Sequence, residues 1–237
     1  VHYFLDPQFD PQVGLLNADE SRHAVKSLRL SPGDLIEVGT GAGVRYICSV
    51  AKAEKNSLLL AVDETVEISR PEFTFSIALA PTKNASRFEW FAEKATEMGV
   101  SEIIPLQTAR TERPRLNTGR LERILHAATK QSRRAYLPTL RPLTDFAEAL
   151  KQGSGLNLIA HCESERNRQA ITTALNQNGV GSVLILIGPE GDFTPSEIEA
   201  AAAAGFTEID LGENRLRTET AGVYCAALTA GFQMSNQ

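Results

Sequence analysis

The feature that most constrains this chain is the run Ser182 to Ile187, SVLILI, apolar without alternation and followed at once by Gly188, Pro189, Glu190 and Gly191. An unbroken apolar run too short for a helix reads as a strand covered on both faces, the kind that belongs to a parallel sheet. A helix is predicted directly after it, with Thr194 as N-cap, Pro195 at the first position and Glu197 completing a capping box. The layout then repeats. Strand EIDLG leads into the loop ENRLRT and a helix that starts near Glu219 or Thr220, kept thin by Ala221, Gly222, Ala226 and Ala227. Open α/β sheets bind ligands at the carboxyl ends of their strands, so two adjacent loops of this kind are placed to hold one ligand. A Gly-Pro turn before a capped helix is also an ordinary structural device, and spacing alone leaves both readings open. Neither GxGxxG nor GxxxxGK[ST] is present, and Glu190 and Asp192 would repel a phosphate, so a ligand with a positive centre suits the first loop better.

Upstream, the pattern changes near Ser69, Arg70 and Pro71. Residues 1–70 carry short strands, LIEV, RYICSV and SLLLAV, between turn-rich pieces, which predicts a small β-barrel domain. Residues 71–237 alternate strands with amphipathic helices, which predicts an α/β domain. Its first strand is FTFSIALA. The following helix is expected to start at Ser86, boxed by Glu89, and to leave through Gly99 in a left-handed turn. A second helix, RLERILHAATKQSRRA, sets Leu121, Ile124, Leu125 and Ala128 on one stripe and Arg123, Lys130 and Arg134 opposite. A further helix is expected near Glu165 to Asn176.

Composition narrows the partners. The net charge is −5, yet between Arg110 and Arg141 nine basic residues meet only Glu112 and Glu122. An acidic protein with one basic tract suits a specific reader of a polyanion. The first residues show no basic leader or apolar run, so a cytoplasmic protein is expected. Three distant cysteines, Cys48, Cys162 and Cys225, fit neither a disulfide framework nor a metal knuckle, and the four histidines never fall at ligand spacing; no metal is expected.

The ordered segments HAVKSLRLSPGDLIEV, EKATEMGVSEIIPL, KQSRR, IGPEGDFTPSEIEAA and LGENRLRTETAG resemble the RsmE family of 16S ribosomal RNA (uridine N3) methyltransferases, within the SPOUT superfamily. The resemblance spans the chain. It implies a PUA-like RNA-binding barrel over 1–70 and, over 71–237, a methyltransferase domain with a C-terminal trefoil knot, which general rules of chain connection would not anticipate. It also implies a homodimer acting on 16S ribosomal RNA or the small subunit, with S-adenosyl-L-methionine as cofactor. The cofactor would lie against Leu186, Gly188, Pro189, Glu190 and Gly191 from the first loop, and Leu211, Gly212, Leu216, Arg217, Glu219, Thr220 and Ala221 from the second. Two departures stand out: Asp192 occupies the last glycine of the usual GPEGG, and Asn214 and Arg215 replace the first arginine and the isoleucine of LGxRILRTETA.

Methyl transfer from a sulfonium needs an aligned nucleophile and exclusion of water. Uridine N3 lies on the pairing edge and carries a proton, so the base must be unpaired and its anion favoured by nearby charge. Arg217 is the first candidate for that work, with Arg134 and Gln131 next; an ion pair from Arg217 to Glu219 or Glu213 is the structural alternative. Arg29, Lys83, Arg110, Arg113, Arg115 and Arg123 are candidates for contact with the RNA. Competing readings are a SPOUT-class transfer-RNA methyltransferase (ribose 2′-O or guanine N1) and a non-catalytic RNA-binding protein of the same fold.

Overall fold

Alternating apolar residues build a first unit, Val1–Arg70 with His126–Leu137. The computed structural model describes residues 1–112, 115–153, 155–176 and 181–235. Strand β1 (His2–Leu5) pairs in parallel with β2 (Leu35–Gly39); β3 (Val44–Glu54) and β4 (Ser57–Glu67) continue the sheet antiparallel. Register shifts at Ile47/Cys48 and Val50/Lys52 mark irregularities where the long β3–β4 hairpin can bend. Helix α1 (Ala18–Lys26) begins on Asn17, whose side chain accepts from the Glu20 amide, and closes over a core of Phe4, Leu16, Ile36, Val38, Leu58 and Leu60. The outer edge of β4 is covered by the segment before α1. The Leu16 amide donates to the Leu58 carbonyl and the Leu60 amide to that of Gly14. Gly14 has φ +68° and a Cβ there would stand 2.2 Å from the Leu60 carbonyl oxygen, so this edge contact needs glycine.

The second unit, Pro71–Leu125 and Pro138–Gln237, is built on a sheet whose strands are all parallel. In chain order its strands and helices are β5 (Thr74–Leu79), α2 (Ala85–Glu97), β6 (Glu102–Gln107), α3 (Thr118–Ser132, whose end belongs to the first unit), β7 (Thr139–Leu140), β8 (Thr144–Asp145) and α4 (Phe146–Leu150). They continue with β9 (Leu156–Ala160), β10 (Gln169–Ala170), α5 (Ile171–Leu175), β11 (Ser182–Ile187), α6 (Pro195–Ala203), β12 (Thr207–Asp210) and α7 (Thr218–Ser235). The strand order is β10-β12-β9-β11-β5-β6-β7, with β8 also on β6. The run SVLILI is therefore central: β11 lies between β9 and β5, and Val183 to Ile187 are all buried. On one face α7 packs against β5 and α2. A Cβ on Gly222 would come within 2.5 Å of Leu79 and 2.6 Å of Phe91, so the glycine sets how closely α7 approaches.

Two helix predictions need correction. α2 starts one residue before Ser86, because Asn84 is the cap: its side chain accepts from both the amide and the hydroxyl of Ser86. Glu89 forms no box and instead pairs with Arg120 at 2.7 Å. The helix expected from Glu165 begins only at Ile171, since Arg166 and Arg168 are engaged elsewhere, as described below. The capping box of α6 and the left-handed exit at Gly99 (φ +89°) form as anticipated. Among the described residues no helix is long and apolar enough to cross a membrane.

Candidate functional site

Parallel strands deliver their following loops to one edge of the sheet, and here the loops after β9, β11 and β12 meet around a cavity of about 280 Å³. From the first come Ala160, His161, Cys162 and Arg168; from the second Ile187, Gly188, Pro189, Glu190 and Asp192. Leu211, Gly212, Asn214, Arg215, Leu216 and Arg217 close it, with Thr218 and Ala221 of α7. Its apolar walls, with Glu190 and Asp192 set against Arg168, Arg215 and Arg217, form a cleft with a few placed polar groups, the usual character of a small-molecule site.

The loop after β11 is held from several sides. Its backbone turns tightly, with the Asp192 amide donating to the Pro189 carbonyl. Asp192 has φ +62°, in the left-handed region, and its carboxylate accepts from its neighbour Phe193 and from the Cys162 amide across the cavity, both at 2.8 Å. On the other side Arg110, just beyond β6, donates to the carbonyls of Gly191 (2.7 Å) and Phe193 (3.3 Å). The Lys83 amide, beyond β5, donates to Glu190, and the Ala109 amide to Glu197 in the capping box. The ends of three strands, β5, β6 and β9, thus hold the loop after β11.

Behind the loop after β9 lies a charged cluster. Glu208 on β12 receives a two-pronged bond from Arg166 (2.7 and 2.8 Å) and lies 2.9 Å from Nε2 of buried His161. The other imidazole nitrogen, Nδ1, accepts from the Glu163 amide, so Nε2 carries the proton of the neutral ring and donates to Glu208. Burial holds His161 below the ordinary histidine value against the pull of Glu208, while the Arg166 bond holds the Glu208 carboxyl below its own. Arg168 donates to the His161 carbonyl at 2.6 Å. These contacts keep residues 163–168 out of a helix.

Of the residues expected to hold a cofactor, Gly188, Pro189, Glu190, Leu211, Gly212, Leu216, Arg217 and Ala221 line the cavity. Leu186 is fully buried in the sheet core, Gly191 turns outward against Arg110, and Glu219 and Thr220 face a neighbouring groove. Arg217 forms no ion pair among the described residues; Glu219 faces Arg87 instead, at 3.6 Å. Gln131 and Arg134 belong to the first unit, exposed and half-buried respectively, as does exposed Arg29, which adopts φ +56°. Lys83 pairs with Glu112 at 2.9 Å, Arg123 donates to the Gly119 carbonyl, and Arg115 is exposed. Arg113 lies outside the described residues. The basic tract divides between the units, and several members are internally engaged: Arg120 with Glu89, Lys130 with Glu20, Arg141 with Glu102. Sequence reasoning missed the β9 contribution, His161, Cys162 and Arg168; its only signal was that LNLIAHC is a third strand ending on the same edge.

A family model for an RNA methyltransferase domain matches residues 69–230, and one for an RNA methyltransferase PUA domain matches residues 16–63. Ribosomal RNA small subunit methyltransferase E of Rickettsia conorii is 30% identical over 90% of this chain and 87% of its own. The chain belongs to the RsmE family of RNA methyltransferases. Among solved structures, a probable rRNA-methyltransferase from Porphyromonas gingivalis superimposes with a TM-score of 0.92 at 35% identity, covering 100% of both chains. Ribosomal RNA small subunit methyltransferase E from Neisseria gonorrhoeae, bound to S-adenosyl methionine, shares the fold with a TM-score of 0.78 at 23% identity over 95% of each chain. Against the RsmE pattern, the departure at Asp192 has a local explanation. The turn demands a positive φ, which glycine meets freely, and aspartate meets it here by using its carboxylate to bond two amides. Asn214 and Arg215, the other departure from RsmE, are both exposed at the cavity mouth, so the exchange alters the charge of the rim and leaves the core untouched.

Proposed function

We propose that this protein methylates N3 of a specific uridine in 16S ribosomal RNA, with S-adenosyl-L-methionine as methyl donor. The observation that carries the reading is the cavity built from the loops after β9, β11 and β12 in a member of the RsmE family. Its residues fit that cofactor. Ile187, Pro189, Leu211, Leu216 and Ala221 offer apolar surface for the adenosyl group, Glu190 and Asp192 offer negative charge to a sulfonium, and Arg168 offers a cation to the amino-acid carboxylate. The cofactor supplies an electrophilic methyl group. The remaining work falls to the chain. Arg217, at the rim and without an ion-pair partner among the described residues, is assigned to hold the uracil and favour its N3 anion, and the loops exclude water. Gln131 of α3 and Arg134 just beyond it complete the proposed catalytic set; Arg29, Lys83, Arg113, Arg115 and Arg123 are assigned to the RNA backbone, and Arg110 to holding the loop after β11.

The finer architecture belongs to the same reading: a C-terminal trefoil knot over 71–237, a PUA-like barrel over 1–70, and a cytoplasmic homodimer with each active site completed by the partner. The deciding measurement is mass spectrometry of 16S ribosomal RNA from a strain lacking this protein. N3-methyluridine should disappear from one position and return on complementation; its persistence, or the loss of a ribose or guanine methyl from transfer RNA instead, would overturn the assignment.

A further inference from the structure

Beside the cofactor cavity, sharing Arg215, Leu216 and Arg217 as a common wall, runs a second and more open groove between the start of α2 and the start of α7. Three features set it apart from ordinary surface. First, Trp90 lies on it with 43% of its surface exposed, a large aromatic face left open to solvent. Second, three guanidinium groups border it, and Arg215 and Arg217 have no carboxylate partner among the described residues. Third, the Glu219 side chain is only 8% exposed, and its Oε2 is buried without a hydrogen-bond partner, while Oε1 faces Arg87 at 3.6 Å. A buried carboxylate oxygen left unsatisfied is costly in a folded protein, and a donor from a ligand is one way to satisfy it.

We infer that this groove is the seat of an unpaired RNA nucleotide, its base stacked on Trp90, its phosphate on Arg87 and Arg215, and an N–H of the base directed to Glu219. The inference rests on the proposed methyltransferase activity and adds where the target strand lies. Aromatic faces bordered by unpaired arginines suit single-stranded nucleic acid, because every base has a stacking face and every phosphate a charge. The shared wall puts such a base next to the cavity assigned to the methyl donor. Arg215 belongs to this chain and not to the usual family pattern, so the groove carries a cation of its own. The base would donate to Oε2 of Glu219, the oxygen without a partner, while Oε1 keeps facing Arg87.

Trp90 is the only tryptophan in the chain, so intrinsic emission reports on the groove alone. The intact protein would be titrated with a short uridine-containing single-stranded RNA at several protein concentrations, while anisotropy of a labelled copy follows overall binding. Saturable quenching of Trp90 that tracks the anisotropy is expected, and Arg215→Ala should weaken binding roughly 3- to 10-fold and lower the salt slope by about 0.7. Trp90→Ala should raise the KM for RNA about 10-fold, with Trp90→Phe restoring most of it and calorimetric affinity for S-adenosyl-L-methionine unchanged. RNA that binds by anisotropy without altering Trp90 emission overturns the groove assignment and leaves the methyltransferase reading intact. Emission that shifts with protein concentration and not with RNA also overturns it, because a second copy of the chain then covers the groove. Quenching by RNA in a protein that binds no S-adenosyl-L-methionine supports the groove and sinks the enzyme reading.

Discussion

Asp192 carries more of the candidate site than its position in a loop suggests. It occupies a left-handed backbone conformation, turns the chain after β11 and ties that turn to Cys162 beyond β9. Asp192→Ala keeps the strained conformation and removes both bonds, so it should lower stability by about 1–3 kcal/mol and weaken S-adenosyl-L-methionine binding about 10-fold. Asp192→Gly relieves the backbone and should lose roughly half as much; thermal denaturation and calorimetry on the pair would separate conformation from bonding. Arg110 was legible in the sequence as one basic residue of an RNA-facing tract, but its guanidinium is directed at the carbonyls of Gly191 and Phe193. Arg110→Ala is therefore expected to weaken cofactor binding about 3- to 10-fold while the salt slope of RNA binding stays as it was. A slope that falls by about one would return Arg110 to the phosphate-binding set.

At the scale of elements, legibility followed the local signals. Strand β11 announced itself by an unbroken apolar run, and α6 by Thr194, Pro195 and Glu197, because those cues act within a few residues. Where the sequence misled, a distant partner decided the outcome. Arg166 answers to Glu208 on another strand, Glu89 to Arg120 on another helix, and no window of local pattern contains either pair. Nor could spacing reveal that His161, Cys162 and Arg168 join the two glycine-containing loops, since strand order in the sheet makes them neighbours. Contact between α7 and its neighbours sits between these extremes: small residues at 221, 222 and 226 foretell close packing, and the structure supplies Leu79 and Phe91 as what is approached. Gly222→Ala should cost about 1–3 kcal/mol by overpacking, read as a lower midpoint of thermal unfolding.

For the molecule as a whole, the cluster of His161, Glu208 and Arg166 ties stability to pH. His161 is held below its ordinary value of 6.5 by burial and Glu208 below 4.5 by its arginine, so in both cases the unfolded chain takes up protons first as pH falls. The stabilisation is fully present above about pH 6.5 and should be lost on acidification, first through the histidine and then through the carboxylate. A denaturation midpoint that is level near neutrality and declines below that value is the expected profile. His161→Gln should remove the upper part of the decline, and an unaltered curve would mean that the ring is not the group responsible.

The central place of β11 also has a consequence in time. During synthesis the strand that must lie beside β5 emerges more than 100 residues after it, counted from Leu79 to Ser182, and the bond between Lys83 and Glu190 joins residues 107 positions apart. Closing such a long loop is slow, because its entropy is spent before any contact rewards it. Until then the Val183 to Ile187 partners on β5 stand with an unpaired edge, a state in which sheets tend to associate with one another. The ligand cavity, lined by residues from Ala160 to Ala221, accordingly exists only after all of these have emerged, and a nascent chain cannot bind its cofactor before Ala221 has left the ribosome.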